Sequence, residues 1–325
     1  MLCSLIIITI LSIPLGLVGC GDGEGYKVYA PDGATALGLS YMMEFCPEIG
    51  GKKVDYNVVP TATIASYVQS ERADFAVLPV NAAVSLYKLG APYRLAAVLT
   101  HGNLFLVGPQ EALGLGGWAG LEGKVVAVIG KGNIPQWVFE RLLTHNGVSF
   151  VEGDKPTGGK AALTFAADGE AAILLLTMGK ADFALIAEPS ASNVINKFRD
   201  TLGLAELFDI QEQWGAAYPY AGAGYPQAAL LVKNGIDSDF VEDFLTRLVL
   251  GNGWAAENPA LAEAAAKVHA IAGTEVKLPV VTSEIVQRCN IFAKTDGLKE
   301  YIEAFYGVVS LAPPDERFYY YFGSK

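Results

Sequence analysis

Four short tracts place proline and a polar or acidic side chain, with glycine in two of them, directly after an apolar run and before a helical one. They are Pro31-Asp32-Gly33-Ala34-Thr35, Pro79-Val80-Asn81-Ala82, Gly132-Asn133-Ile134-Pro135 and Glu188-Pro189-Ser190-Ala191. At the start of a helix the first backbone N–H groups lack intrahelical partners and the dipole is positive. Such turns either hold a small polar ligand or cap the helices that follow. Lys131, beside the third tract, suits an anionic group, whereas Asp32 and Glu188 suit a cation or an amine, so these residues leave the sign of the ligand open. A second set is aromatic. Trp214, Tyr218, Tyr220 and Tyr225 fall in QEQWGAAYPYAGAGYPQ, a stretch too rich in Gly, Ala and Pro to read as a regular element. Rings there either stack on a flat ligand or pin an irregular crossing segment into a core.

Residues that run covalent or metal chemistry are not grouped. HExxH, a GxSxG elbow and an EF-hand loop are all missing. The tract Gly153–Ala161, GDKPTGGKA, imitates a phosphate loop only loosely: its first glycine is one place early, and Ala161 stands where a Ser or Thr must hold magnesium. Gly130–Pro135 follows a strand and opens a helix like a dinucleotide fingerprint, but proline replaces the last glycine and no acidic ribose-binding residue follows at the right place. His101, His145 and His269 are far apart and no Cys/His cluster exists, which argues against zinc. An enzyme is therefore not expected, and no cofactor is.

The elements that must position these turns alternate. Strands are expected at Tyr26–Ala30, Val54–Val59, Phe75–Leu78, Tyr93–Thr100, Leu104–Val107, Lys124–Ile129, Ser149–Val151 and Phe183–Ile186. Helices are expected at 34–45, Thr63–Ser70, Ala82–Leu89, Trp137–His145 and Ala167–Met178. Alternating β and α at this spacing predicts parallel sheets flanked by helices. ERADFAVLPV in the first half and GKADFALIAEP in the second share an ADFA core, each after an apolar helix and before a proline-marked helix start. Two similar α/β lobes are the economical reading, with the chain crossing between them near 103–110 and again near 218–230. From about Asn234 the chain reads as helical, at Phe240–Leu250, Asn258–Ala272, Ser283–Phe292 and Leu298–Tyr306, packing back on the first lobe. The terminal run Phe318–Phe322 reads as an anchor for the tail.

Composition sets the class. The 325 residues are 52% hydrophobic and 18% charged, enough to bury a sizeable core in two domains and far from a disordered composition. With 34 acidic against 23 basic residues, the net charge of −11 disfavours nucleic acid, so no such partner is expected. Residues 3–19 carry no charge, with the strongest apolar run from Leu5 to Ile13, broken by Pro14 and Gly16. This predicts a signal peptide over 1–19, although no Lys or Arg precedes the run. LVGC, ending at Cys20, resembles the lipobox of bacterial lipoproteins, which implies lipid on Cys20 and a flexible tether over 20–25. An oxidising location permits a bond between Cys46 and Cys289; two free thiols are the alternative.

Taken in order, the lipobox, PDGATAL, ERADFAVLPVNAA, NLFLVGP, VVAVIGKGNIPQWVFERLLTHNGV, the LTFAADGEAAILLLTMGKADFALIAEPSASNVI stretch and PPDERFYYY resemble the substrate-binding proteins of ABC importers. The branch is the NMT1/THI5-like one that takes nitrate, sulfonates, taurine or thiamine precursors. The resemblance spans essentially the whole mature chain. It implies an α/β, two-lobed periplasmic-binding-protein-like fold of type II, with two mixed or parallel sheets flanked by helices and a ligand cleft between them. Lobe one would be 26–105 and 223–325, and lobe two 106–222. It also implies ligand contacts at Asp32, Gly33, Ala34, Asn81, Lys131, Asn133, Ile134 and Glu188, with Tyr220 or Tyr225 at the crossing. The expected partners are a small ligand, an ABC permease with its cytoplasmic ATPase, and the membrane through the lipid of a monomeric, extracytoplasmic protein. The cysteine-rich motif of the fungal thiamine-precursor enzymes is missing. The alternatives are a sensory ligand-binding protein and a cleft enzyme on the same scaffold, as in menaquinone synthesis.

Overall fold

Short runs of four to six apolar residues become strands buried on both faces. The computed structural model describes residues 25–114, 116–219, 224–274 and 280–323. In chain order its strands are β1 (Tyr26–Pro31), β2 (Glu48–Ile49), β3 (Lys52–Val59), β4 (Phe75–Pro79), β5 (Tyr93–Thr100), β6 (Leu104–Pro109), β7 (Val125–Ile129), β8 (Phe150–Glu152), β9 (Ala161–Ala166), β10 (Phe183–Ala187), β11 (Leu204–Asp209), β12 (Ala228–Lys233) and β13 (Ile291–Lys294). They form two mixed sheets, one of seven strands in the order β13-β5-β12-β4-β1-β3-β2 and one of six in the order β11-β6-β10-β7-β9-β8. β4 (FAVLP) and β10 (FALIA) are nearly continuous apolar runs because helices cover both faces of each sheet.

The two ADFA tracts occupy matching places. In the first sheet β1 runs parallel to β4 with Val28 opposite Phe75; in the second β7 runs parallel to β10 with Val126 opposite Phe183. Asp74 precedes β4 and accepts the Lys27 N–H at 2.8 Å, while its own N–H donates to Lys27 O at 2.9 Å. Asp182 does the same before β10, with the Val125 N–H and carbonyl, both at 2.8 Å. The correspondence extends along the sheets. β3-β1-β4-β12-β5 matches β9-β7-β10-β6-β11, parallel pairs on one side and antiparallel pairs on the other.

Two segments join the sheets. His101-Gly102-Asn103 links β5 to β6, and the chain returns from the helix Ile210–Ala217 into β12. Apolar packing is continuous across them: Phe305, on the helix Leu298–Val308, lies 5.6 Å from Trp214 and 6.3 Å from Tyr225 between ring centres. The terminal aromatics Phe318, Tyr319 and Tyr320 are buried, and the Tyr320 N–H donates to Leu95 O, fixing the tail on the first sheet.

Local differences from the sequence reading have physical causes. Gln211–Ala217 is helical, not irregular: Asp209 accepts the N–H groups of Gln211 and Glu212, and Ile210 and Trp214 share the buried face. β9 is an alanine-rich strand, AALTFA, whose burial between β7 and β8 overrides alanine's weak strand preference. The helix expected over Ser283–Phe292 ends at Arg288, and Ile291–Lys294 pairs with β5 as an edge strand. The helix expected over 34–45 breaks at Leu39 into Ala34–Gly38 and Ser40–Phe45. Cys46 and Cys289 are buried free thiols, so the two are not joined.

Candidate ligand cleft

The carboxyl ends of β1 and β4 from one sheet and of β7 and β10 from the other open onto a common cavity of about 680 Å³. Gly33 turns the chain out of β1 at φ 85°, a backbone that favours glycine, and its carbonyl receives the Leu37 N–H. Bonds to the neighbouring strand and turn hold Asp32. Its N–H donates to Val59 O at 3.0 Å, and its carboxylate accepts the Thr61 hydroxyl at 3.0 Å. From the second lobe Asp168 caps the helix Gly169–Thr177 by accepting the Ala171 N–H at 2.9 Å.

Asn103 and Gln227, one on each crossing segment, tie these walls together. Gln227 Oε1 accepts the Asn103 N–H at 3.2 Å, and Gln227 Nε2 donates to Asn103 Oδ1 at 2.8 Å. Asn103 Nδ2 donates to Glu188 O at 3.0 Å, and the Glu188 N–H returns a bond to Asn103 O at 2.8 Å. Asn103 is buried, and every polar atom of its side chain is used. His101, on the same crossing, is also buried. Its Nε2–H donates to Phe292 O at 3.0 Å, so Nδ1 accepts the Tyr301 hydroxyl at 2.9 Å, and the ring stacks on Phe292. Burial pushes its pKa down to about 4, which keeps the imidazole neutral.

Glu188 lines the cavity with its backbone turned toward it and its carboxylate turned away. The side chain is fully buried; it accepts the Ser192 N–H at 3.0 Å and hydroxyl at 2.6 Å, and Arg288 Nε at 2.6 Å. Arg288 also reaches Glu206 at 2.7 Å and lies 4.0 Å over the Phe105 ring. The helix Ser283–Arg288 packs with Leu37 and Ala262, whereas Glu188, Glu206 and Phe105 belong to the second sheet and its helices. Arg288 is therefore an ionic tie between the lobes.

Among solved structures the chain is similar to an ABC transporter from Parabacteroides distasonis, at TM-score 0.69 and 20% identity over 91% of this chain and 98% of that one. It is also similar to the periplasmic aliphatic sulphonate binding protein SsuA of Escherichia coli, at TM-score 0.64 and 14% identity over 88% and 86%. A third is a ligand binding component of an ABC-type import system from Staphylococcus aureus with zinc bound, at TM-score 0.61 and 12% identity over 92% and 97%. The fold is that of a two-lobed periplasmic binding protein. No protein-family model matches the sequence, and no curated protein does.

On this binding-protein fold, Asp32, Gly33, Ala34 and Glu188 line the cavity. The other candidates among the described residues do not. Lys131 pairs with Glu152 at 2.9 Å and lies 4.7 Å over the Phe165 ring. Ile134 is core, at 1% exposure. Asn81 and Asn133 meet each other across the lobes, Nδ2 to Oδ1, at 2.6 Å. Tyr225 is fully buried against Trp214 and donates its hydroxyl to Gln211 Oε1 at 3.2 Å. Tyr220 and Cys20 lie outside the described residues. The phosphate-loop imitation ends in β9, and none of it lines the cavity.

Sequence reasoning missed Thr61, Thr100, Asn103, Asp168, Glu170 and Gln227. Asp168 had a local signal, an acid opening the apolar helix GEAAILLLT. Asn103 and Gln227 carried only a weak one, a polar residue just before an apolar strand at each crossing. Among the described residues, no three potential ligands gather around a metal-sized site, and no helix is long and apolar enough to cross a membrane.

Proposed function

We propose that this chain is an extracytoplasmic solute-binding lipoprotein of an ABC importer, of the NMT1/THI5-like kind. The signal segment 1–19 is removed, Cys20 carries the lipid, and 20–25 tether a monomer to the membrane. Lobe one (26–105 and 223–325) and lobe two (106–222) close over a small ligand and present it to a permease with a cytoplasmic ATPase. The observation that carries this reading is one cavity built from the carboxyl ends of strands in two lobes joined by two crossings, where open α/β sheets take ligands. Asp32, Gly33 and Ala34 supply contacts from lobe one, and the Glu188 backbone supplies them from lobe two. Binding favours the closed arrangement only through contacts absent from the open one.

Small-angle scattering of the chain from Gly21 onward, with and without a ligand found by thermal shift, tests the receptor role. A smaller radius of gyration on saturation, without turnover of the ligand, is the expected result; an unchanged radius or a consumed ligand overturns it. Cys20→Ala expressed in a bacterial host should move the protein from the membrane to the soluble fraction. Retention in the membrane refutes the lipid anchor.

A further inference from the structure

We infer that Asn133 is a two-position latch of the cleft. Its Oδ1 either joins the lobes by accepting Asn81 Nδ2 or caps its own helix by accepting the Gln136 N–H. This rests on the receptor reading above, in which the lobes part and close, and adds the element that sets their balance. The joined position is the one seen here. Asn81 stands at the start of the helix Val80–Lys88 in lobe one, and Asn133 is the N-cap of Ile134–His145 in lobe two. Asn81 Nδ2 donates to Asn133 Oδ1 at 2.6 Å. Asn133 Nδ2 donates to Lys131 O at 3.1 Å, which fixes the end of the amide that carries the oxygen. Pro79 and Ile129, shortly before the two asparagines, line the ligand cavity, so the bond lies beside it.

The second position is built into the helix start. Asn133-Ile134-Pro135-Gln136 has the spacing of a capping box, in which the first side chain accepts the fourth residue's N–H and the fourth side chain reaches back. Half of it is made. Gln136 Oε1 accepts the Gly132 N–H at 2.8 Å, but the Asn133 side chain takes no N–H of its own helix. The Asn133 backbone, at φ −127° and ψ 178°, already has the extended geometry of an N-cap. Of the two N–H groups that such caps use, the nearer position is Pro135, which has none. The Gln136 N–H is the donor that remains for a rotated Asn133 side chain.

Joining the lobes costs bonds that parting them returns. Asn81 is 8% exposed, and its buried Oδ1 meets no donor among the described residues. A buried acceptor left unpaired is unfavourable, and so is a helix start without its side-chain cap. When the lobes part, water reaches Asn81 and Asn133 turns to Gln136. The inter-lobe bond is thereby offset on both sides, and it holds the lobes lightly, as a receptor that must open to its ligand requires.

The test is amide hydrogen exchange by NMR, with small-angle scattering, on the ligand-free chain from Gly21 onward, which contains every described element. Asn81→Ala removes the latch and leaves the cap. The Gln136 amide should then exchange at least ten-fold more slowly than in the parent chain, and the radius of gyration should rise. Asn133→Ser, one bond shorter, still caps but no longer spans to Asn81, and should do the same. Asn133→Ala loses both positions, so its radius should rise without the Gln136 protection. Unchanged Gln136 exchange in Asn81→Ala and Asn133→Ser, or equal slowing in Asn133→Ala, overturns the latch. An unchanged radius in all three variants overturns it too. The receptor role is judged separately, by contraction of the parent chain in the scattering experiment above, and it stands or falls whatever these variants do.

Discussion

The two lobes are alike at one end of their sheets and unlike at the other. At the amino ends of β4 and β10, Asp74 and Asp182 make the same pair of bonds to the neighbouring strand, 2.8 to 2.9 Å long. At the carboxyl ends, where the cavity lies, the glycine and proline turns recur but the polar side chains differ. Lobe one presents Asp32 at a glycine turn and Asn81 at the next helix start. Lobe two sends Lys131 outward to Glu152 and turns Glu188 inward to Arg288. The ADFA end has a purely local task, closing the first ladder bonds of a strand, and any α/β lobe has the same use for it. The cavity end must suit one ligand and one hinge, so the same backbone there carries different side chains.

The largest expected effect attacks the ionic tie between the lobes, whose buried carboxylate comes from the second lobe alone. Arg288→Ala leaves the Glu188 carboxylate buried without its counter-charge and should cost about 3–5 kcal/mol in urea unfolding. The double change Glu188→Gln with Arg288→Met should recover a good part of that loss. A small loss in the single variant would mean that the tie is not needed.

Next comes acid, which tests the crossing between the lobes. The pKa of His101 is about 4 in the folded chain against 6.5 when free. The unfolded state therefore binds the extra proton first, and stability is fully present above pH 6.5. It falls as the pH drops from 6.5 toward 4, by about 3 kcal/mol in all. A chemical-denaturation series across that window should show the slope, and His101→Gln should flatten it. An unchanged slope in the variant would assign the acid sensitivity elsewhere.

The matched ends predict matched, smaller losses. Asp74→Ala and Asp182→Ala should each cost about 1–2 kcal/mol, since each removes a charge-assisted bond to a backbone N–H. The two values should agree within about 0.5 kcal/mol, and neither should alter ligand affinity. A two-fold difference would break the equivalence, with Lys124 beside Asp182 at 3.7 Å as the first suspect. The smallest effect belongs to Lys131→Ala. Its ion pair is more than half exposed on the lysine side, so about 0.5 kcal/mol or less is expected, with ligand affinity unchanged. A drop in affinity would return Lys131 to the cleft.

How much of this was legible is clearest residue by residue. Strands such as FAVLP and FALIA declare themselves, because a run of β-branched and other apolar residues bounded by turn residues has few other uses. AALTFA and LAELFD did not: an alanine-rich run becomes a strand because β7 and β8 flank it, and one interrupted by a glutamate because β6 offers it an edge. At the site, Asp32 and Gly33 were visible because a turn after a strand needs a glycine and favours an acid. Tyr225 was misplaced, since an aromatic in an irregular segment looks the same whether it faces a ligand or a core.

The sequence by itself determined the alternation of elements, the repeated strand start and the turns that face the cavity, because each depends on residues within about ten positions of one another. The tertiary structure alone decided which side chains point into that cavity and what charge they bring. Glu188 meets Arg288 across 100 positions and Asn103 meets Gln227 across 124. Charge and hydrogen-bond partners act through space over a few ångströms, whatever the separation along the chain.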